Sequence, residues 1–133
     1  MARTLVIGGT LFIGRALVRR LLARGDQVTI LHRGAGNPFK GQTGEIRCDR
    51  NDTEAVKRAL DGKTFDLVYD NVYDWQRGTT AGQVQALALA LSPRPRRYVF
   101  TSSVAAYGEG LDLDEDSPLA PDDHPDDYVR NKA

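Results

Sequence analysis

The stretch that decides the fold is "TLVIGGTLFIGRALVRRLLARG", Thr4 to Gly25. Its first part, "TLVIGG" (Thr4 to Gly9), is a short run of β-branched and aliphatic residues, the pattern of a strand buried on both faces. The period then changes. From Arg15 onward Leu17, Val18, Leu21 and Leu22 share one face of a helix, and Gly25 suits the residue that stops it. Between the two, "IGGTLFIGR" (Ile7 to Arg15) sets Gly8, Gly9 and Gly14 at the turn. Strand, glycine-rich turn and amphipathic helix, in that order, open a parallel α/β sheet.

The same alternation continues outward. "QVTIL" (Gln27 to Leu31), "EIRC" (Glu45 to Cys48), "FDLVY" (Phe65 to Tyr69) and "RYVFTSS" (Arg97 to Ser103) read as further strands. Asn51, with Glu54 three residues later, has the form of a capping box opening the helix "DTEAVKRAL". "AGQVQALALAL" (Ala81 to Leu91) is another helix, and the prolines of "SPRP" end it. After the fifth strand, "YGEGLDLDEDSPLAPDDHPDD" reads as a loop; at roughly 20 residues it has the length of a binding loop or lid. The chain closes on "DDYVRNKA", where Tyr128 and Lys132 stand four apart at the start of a helix.

Composition bounds the class. A chain of 133 residues with 41% hydrophobic and 27% charged content suits one packed domain and excludes disorder or a fibrous repeat. No apolar run approaches a membrane span, and "MARTLVIGG" lacks the features of a signal peptide, so a cytoplasmic protein with no membrane partner is expected. The single Cys48 cannot form an internal disulfide, and two histidines offer no ligand cluster, so no metal site is expected. Net charge is zero but unevenly spread: residues 1–108 carry 16 Lys or Arg against 9 Asp or Glu, while residues 109–127 carry 9 acidic residues and no Lys or Arg. A basic excess suits a phosphate-bearing ligand or nucleic acid, and equally a solvated arginine-rich surface.

A glycine-rich turn between strand and helix lets the backbone approach a pyrophosphate, whose charge rests on the unsatisfied N–H groups of the helix start. "GGTLFIG" resembles the "GGxGFIG" fingerprint of the extended short-chain dehydrogenase/reductases, the NAD(P)-dependent epimerase/dehydratase family. "YVFTSSVAAYG" is similar to that family's fifth strand and catalytic-serine segment, and "YVRNK" to its Tyr-x-x-x-Lys. The resemblance implies a Rossmann-like, doubly wound, mostly parallel sheet. Residues 1–133 would be the N-terminal part of an NAD(P)-binding domain, with the substrate domain outside this chain.

It also implies roles. Gly8, Thr10, Phe12, Ile13 and Gly14 would line the dinucleotide, and Asp49 would receive the adenine amino group; a turn aspartate is its plainer reading. Tyr128 would be the general acid/base for a sugar hydroxyl or ketone. Lys132 would favour the phenolate by its charge and hold the nicotinamide ribose. Ser103, rather than Ser102, has the placement of the residue that hydrogen-bonds the reacting oxygen.

Departures are informative too. Leu11 replaces the central glycine of the fingerprint, which implies a backbone farther from the pyrophosphate. "LHRG" puts His32 and Arg33 where an acidic residue usually meets the adenine ribose, so Arg33 favours NADP over NAD as cofactor, unless it is a solvated surface residue. "DNVYDWQRG" (Asp70 to Gly78) is bulky where the family is small, and it has two readings: Tyr73 and Trp75 line a substrate pocket, or, more plainly, a loop packs on its own aromatics. These departures look like the branch that includes chloroplast RNA-associated proteins.

The expected activity is epimerase, dehydratase or reductase chemistry on a sugar nucleotide or related substrate, in a full-length protein able to pair as a homodimer, with this chain alone inactive. The rival is a dinucleotide-fold protein with an RNA-binding or regulatory role.

Overall fold

Five parallel strands form one sheet in the computed structural model, which describes residues 1–133. They are β1 (Arg3–Ile7), β2 (Gln27–His32), β3 (Gly44–Arg47), β4 (Leu67–Asp70) and β5 (Arg97–Phe100), in the spatial order β3-β2-β1-β4-β5. That is the order of a dinucleotide-binding sheet, with β1 at its centre. Side-chain alternation explains why helices cover both faces. Leu5 and Ile7 of β1 point into one apolar cluster with Leu31, Val56, Leu60, Val68 and Leu87. Val6 points into the other, with Val18, Leu21, Val28, Ile30 and Phe39. Helix α1 (Phe12–Arg24) supplies the second cluster; α2 (Thr53–Leu60) and α3 (Ala81–Ala90) supply the first. Leu5, Val6 and Ile7 are fully buried, each worth about 1.5–3 kcal/mol.

Register sets the functional edge. Ile7 pairs with Leu31 on one side and Asp70 on the other, so the central strands end level and bring Gly8, His32 and Asn71 to the carboxyl edge of the sheet.

Several boundaries differ from the sequence reading for local reasons. β1 stops at Ile7 because Gly8 turns left-handed at φ 84°. α2 is capped by Asp52, whose carboxylate accepts from the Ala55 N–H, and not by Asn51. β5 ends at Phe100, so Ser102 and Ser103 lie beyond the strand, and Ser103 caps a 3-10 turn, Val104–Tyr107.

The chain divides into two compact units, Met1–Val72 with Gly82–Thr101, and Tyr73–Ala81 with Ser102–Ala133. The first holds the sheet. In the second, the 3-10 turn packs on helix α4 (Asp127–Lys132). Residues 109–126 form neither helix nor strand and are tied back by the Ala120 N–H donating to the Ala106 carbonyl at 2.8 Å. No helix is long and apolar enough to cross a membrane.

Candidate functional site

The glycine turn is built around close approach. A Cβ added at Gly14 would stand 1.9 Å from the Gly8 carbonyl oxygen, so the first turn of α1 lies directly on the loop that precedes it. At Gly8 a Cβ would stand 2.3 Å from Val72 Cγ2. Leu11, the departure from the fingerprint, takes an extended backbone (φ −129°, ψ 154°) open to any residue, and its side chain is 68% exposed. The unusual backbone falls one residue later, on Phe12, at φ 43°; a side chain there costs on the order of 1–2 kcal/mol. Phe12 and Ile13 are exposed on the first helical turn, and Thr10 is half-buried in the loop. Leu11 offers no side-chain cap and the first turn holds no acidic residue, so the helix start keeps its N–H groups and partial positive charge for an anion.

The carboxyl edge of the sheet carries a second sign of a ligand. His32 Nδ1, Arg50 Nε and NH1, and Asn71 Nδ2 are buried without a hydrogen-bond partner, whereas buried polar atoms are ordinarily paired. His32 ends β2, and Arg50 and Asn71 follow β3 and β4, on the edge where open α/β sheets hold ligands. Donors at this edge, an uncapped helix start and a turn with no room for side chains fit a dinucleotide. Sequence reasoning missed Arg50. Its NH2 lies 2.6 Å from Asp70 Oδ2, in a pair 3% and 0% exposed, and the Tyr98 hydroxyl donates to the same oxygen at 2.7 Å. Burial, and then the Asp70 charge, push the Tyr98 phenol far above its ordinary range, which keeps it a neutral donor. Within "CDRND" nothing marks Arg50 as buried; its partner lies 20 residues on.

Arg33 and Asp49 stand together. Their charged groups are 3.9 Å apart and both side chains are partly exposed.

In the second unit, Asp126 caps α4 by accepting from the N–H groups of Tyr128 (2.8 Å) and Val129 (3.4 Å), and buried Val129 anchors the helix. Tyr128 and Lys132 then fall on one face, with the Lys132 Nζ 5.9 Å from the Tyr128 ring centre and the lysine only 7% exposed. The two serines are differently engaged. The Ser102 hydroxyl donates to the Lys132 carbonyl at 2.7 Å. Ser103 Oγ instead accepts from the Ala105 N–H at 3.2 Å, which leaves its proton to donate.

Tyr73 and Trp75 do not pack only on each other. Tyr73 is edge-on to both Trp75 (5.1 Å) and Tyr128 (4.8 Å), and Trp75 stacks on Tyr128 at 5.0 Å and 25°. Lys132 Nζ lies 5.2 Å over the Tyr73 ring, and the Asn131 amide donates to the Tyr73 hydroxyl at 3.2 Å. The bulk of "DNVYDWQRG" was legible in the sequence; its association with Tyr128 was not.

The signature of the NAD dependent epimerase/dehydratase family matches residues 4–133. Chloroplast stem-loop binding protein of 41 kDa b of Arabidopsis thaliana is 34% identical over 119 residues, covering 79% of this chain and 30% of that protein. The dTDP-6-deoxy-L-talose 4-dehydrogenase (NAD(P)(+)) of Kitasatospora kifunensis is 32% identical over 135 residues, covering 90% of this chain and 42% of the enzyme. Among solved structures, the UDP-Glc/GlcNAc 4-epimerase of Campylobacter jejuni superposes with a TM-score of 0.80 at 21% identity, over 99% of this chain and 46% of its own, a likeness of fold. The chain thus spans less than half the length of each of these three. A family signature running from β1 to the last residue, over a sheet of matching order, establishes that the chain belongs to the NAD dependent epimerase/dehydratase family.

Proposed function

We propose that residues 1–133 are the NAD(P)-binding Rossmann part of an epimerase, dehydratase or reductase acting on a sugar nucleotide or a related hydroxyl or keto substrate. The observation that carries this is the Tyr128 and Lys132 pair, with the lysine buried beside the phenol ring on a capped helix. A bound nicotinamide dinucleotide supplies the hydride donor or acceptor. Gly8, Thr10, Phe12, Ile13 and Gly14 form the turn that receives its pyrophosphate, and Asp49 accepts the adenine amino group. Tyr128 gives or takes the proton at the substrate oxygen, helped by the Lys132 charge, which favours the phenolate. Ser103 donates its spare hydroxyl proton to that same oxygen. Lys132 also holds the nicotinamide ribose.

NADP is the favoured cofactor. The Arg33 side chain is more than half exposed, and its guanidinium fork matches a 2′-phosphate. Titration of the full-length protein with NADPH and NADH, read by nicotinamide fluorescence, tests the reading: NADPH binds tighter, and binding of neither overturns it. Tyr128→Phe lowers turnover about 10²–10⁴-fold while NADPH affinity stays, whereas unchanged turnover removes Tyr128 from the chemistry.

A second reading has two observations behind it, the likeness to a protein named for stem-loop binding and the basic excess of residues 1–108. Salt-sensitive binding of a stem-loop RNA that survives Tyr128→Phe, with no dinucleotide bound, would select it.

A further inference from the structure

Trp75 is 76% exposed although its ring stacks on Tyr128. The indole thus borders the phenol assigned as acid/base, and the turn that carries it fixes it there. The segment is not slack. Asp74 Oδ1 accepts from the N–H groups of Gln76 (2.9 Å) and Arg77 (3.0 Å), and the Asp74 N–H donates to Thr79 Oγ1 at 3.0 Å. The Arg77 guanidinium pairs with the Asp74 carboxylate at 2.7 Å, while Asp74 and Thr79 are 4% and 2% exposed. A turn locked in this way holds the indole out, with one face on Tyr128 and most of its surface in solvent. Charge narrows what that surface can take. The unit made of residues 73–81 and 102–133 has 10 acidic residues against 3 Lys or Arg, which disfavours a phosphate on the indole and leaves an uncharged ring.

We propose that Trp75 is a stacking platform for the substrate, taking the C–H face of a neutral hexose ring while the ring's reacting hydroxyl meets Tyr128. This rests on Tyr128 being the acid/base of the proposed function. Tyr73 is the positioning residue, set edge-on to both rings and fixed by Asn131.

The indole is its own probe, because the difference in emission between the protein and its Trp75→Phe variant isolates it. The full-length protein, loaded with NADPH, is titrated with UDP-, dTDP- and GDP-hexoses and with the parent diphosphates. The platform predicts that at least one hexose-bearing ligand changes Trp75 emission while its parent diphosphate does not. By calorimetry, Trp75→Ala weakens that ligand about tenfold with diphosphate and NADPH affinities unchanged, and Trp75→Phe restores most of it. An equal response of the NADPH-loaded protein to the bare diphosphate overturns the proposal. So does silence across the whole panel in a protein that binds NADPH. Failure to bind any dinucleotide instead overturns the proposed function beneath it, so the two failures are told apart.

Discussion

At the scale of single residues, two positions make direct predictions. Gly14 has no space for a methyl group, since the obstacle is the Gly8 backbone oxygen and not a side chain that can swing away. Gly14→Ala should cost about 3 kcal/mol in urea unfolding and weaken dinucleotide binding, because the α1 start must back off the turn. Asp26 is the other. Arg24 donates to both of its oxygens (3.0 and 2.5 Å) and the Thr4 hydroxyl to one (2.8 Å). The Arg24 hydrogen bonds first, and those from Thr4, hold its carboxyl below the usual range against the opposing effect of burial. The folded value therefore lies below the unfolded value of about 3.9, so the contribution is complete above that pH and is lost as pH falls through the folded value. Urea midpoints should drop across that acidic window in the protein and drop less in Asp26→Asn. Neither effect is visible from spacing alone: the glycine could be counted in the sequence, but the oxygen it touches and the hydroxyl behind Asp26 come from the folded turn and from β1.

At the scale of elements, Arg50 ties the connection after β3 to the end of β4, with Tyr98 of β5 on the same carboxylate. Removing the cation leaves Asp70 buried beside a phenol that cannot balance its charge. Arg50→Met should destabilise by about 3–5 kcal/mol, against about 1 kcal/mol for Tyr98→Phe, both read from urea midpoints. Equal, small losses would mean that water reaches the pair. Element types were largely legible in the sequence because apolar period carries them: the run at Leu5–Ile7 and the helical face at Val18 and Leu21 follow from side-chain geometry. Ends were less so. Asn51 and Asp52 both make good caps, and only the folded chain shows that Asp52 reaches the Ala55 N–H. The 3-10 turn after β5 escaped notice because four residues are too few to show a period.

At the scale of the whole molecule, the sheet order joins parts of the chain that sequence proximity would keep apart. β1 pairs with β2 at Arg3↔Gln27 and with β4 at Thr4↔Leu67. The α/β class could be read from the alternation of strands and helices. How the aromatic side chains gather about Tyr128 could not, since Tyr73 and Asn131 meet across 58 positions. With β1 in the middle, deleting residues 1–4 should abolish cooperative urea unfolding altogether, whereas loss of an edge strand would shift the midpoint. On the ribosome, this arrangement delivers the innermost strand first. Its two flanks wait, one for β2 to emerge soon afterwards and the other for β4, some forty residues of synthesis later. During that interval the nascent chain carries an open, apolar strand edge, which is the period in which it most needs shielding by a chaperone.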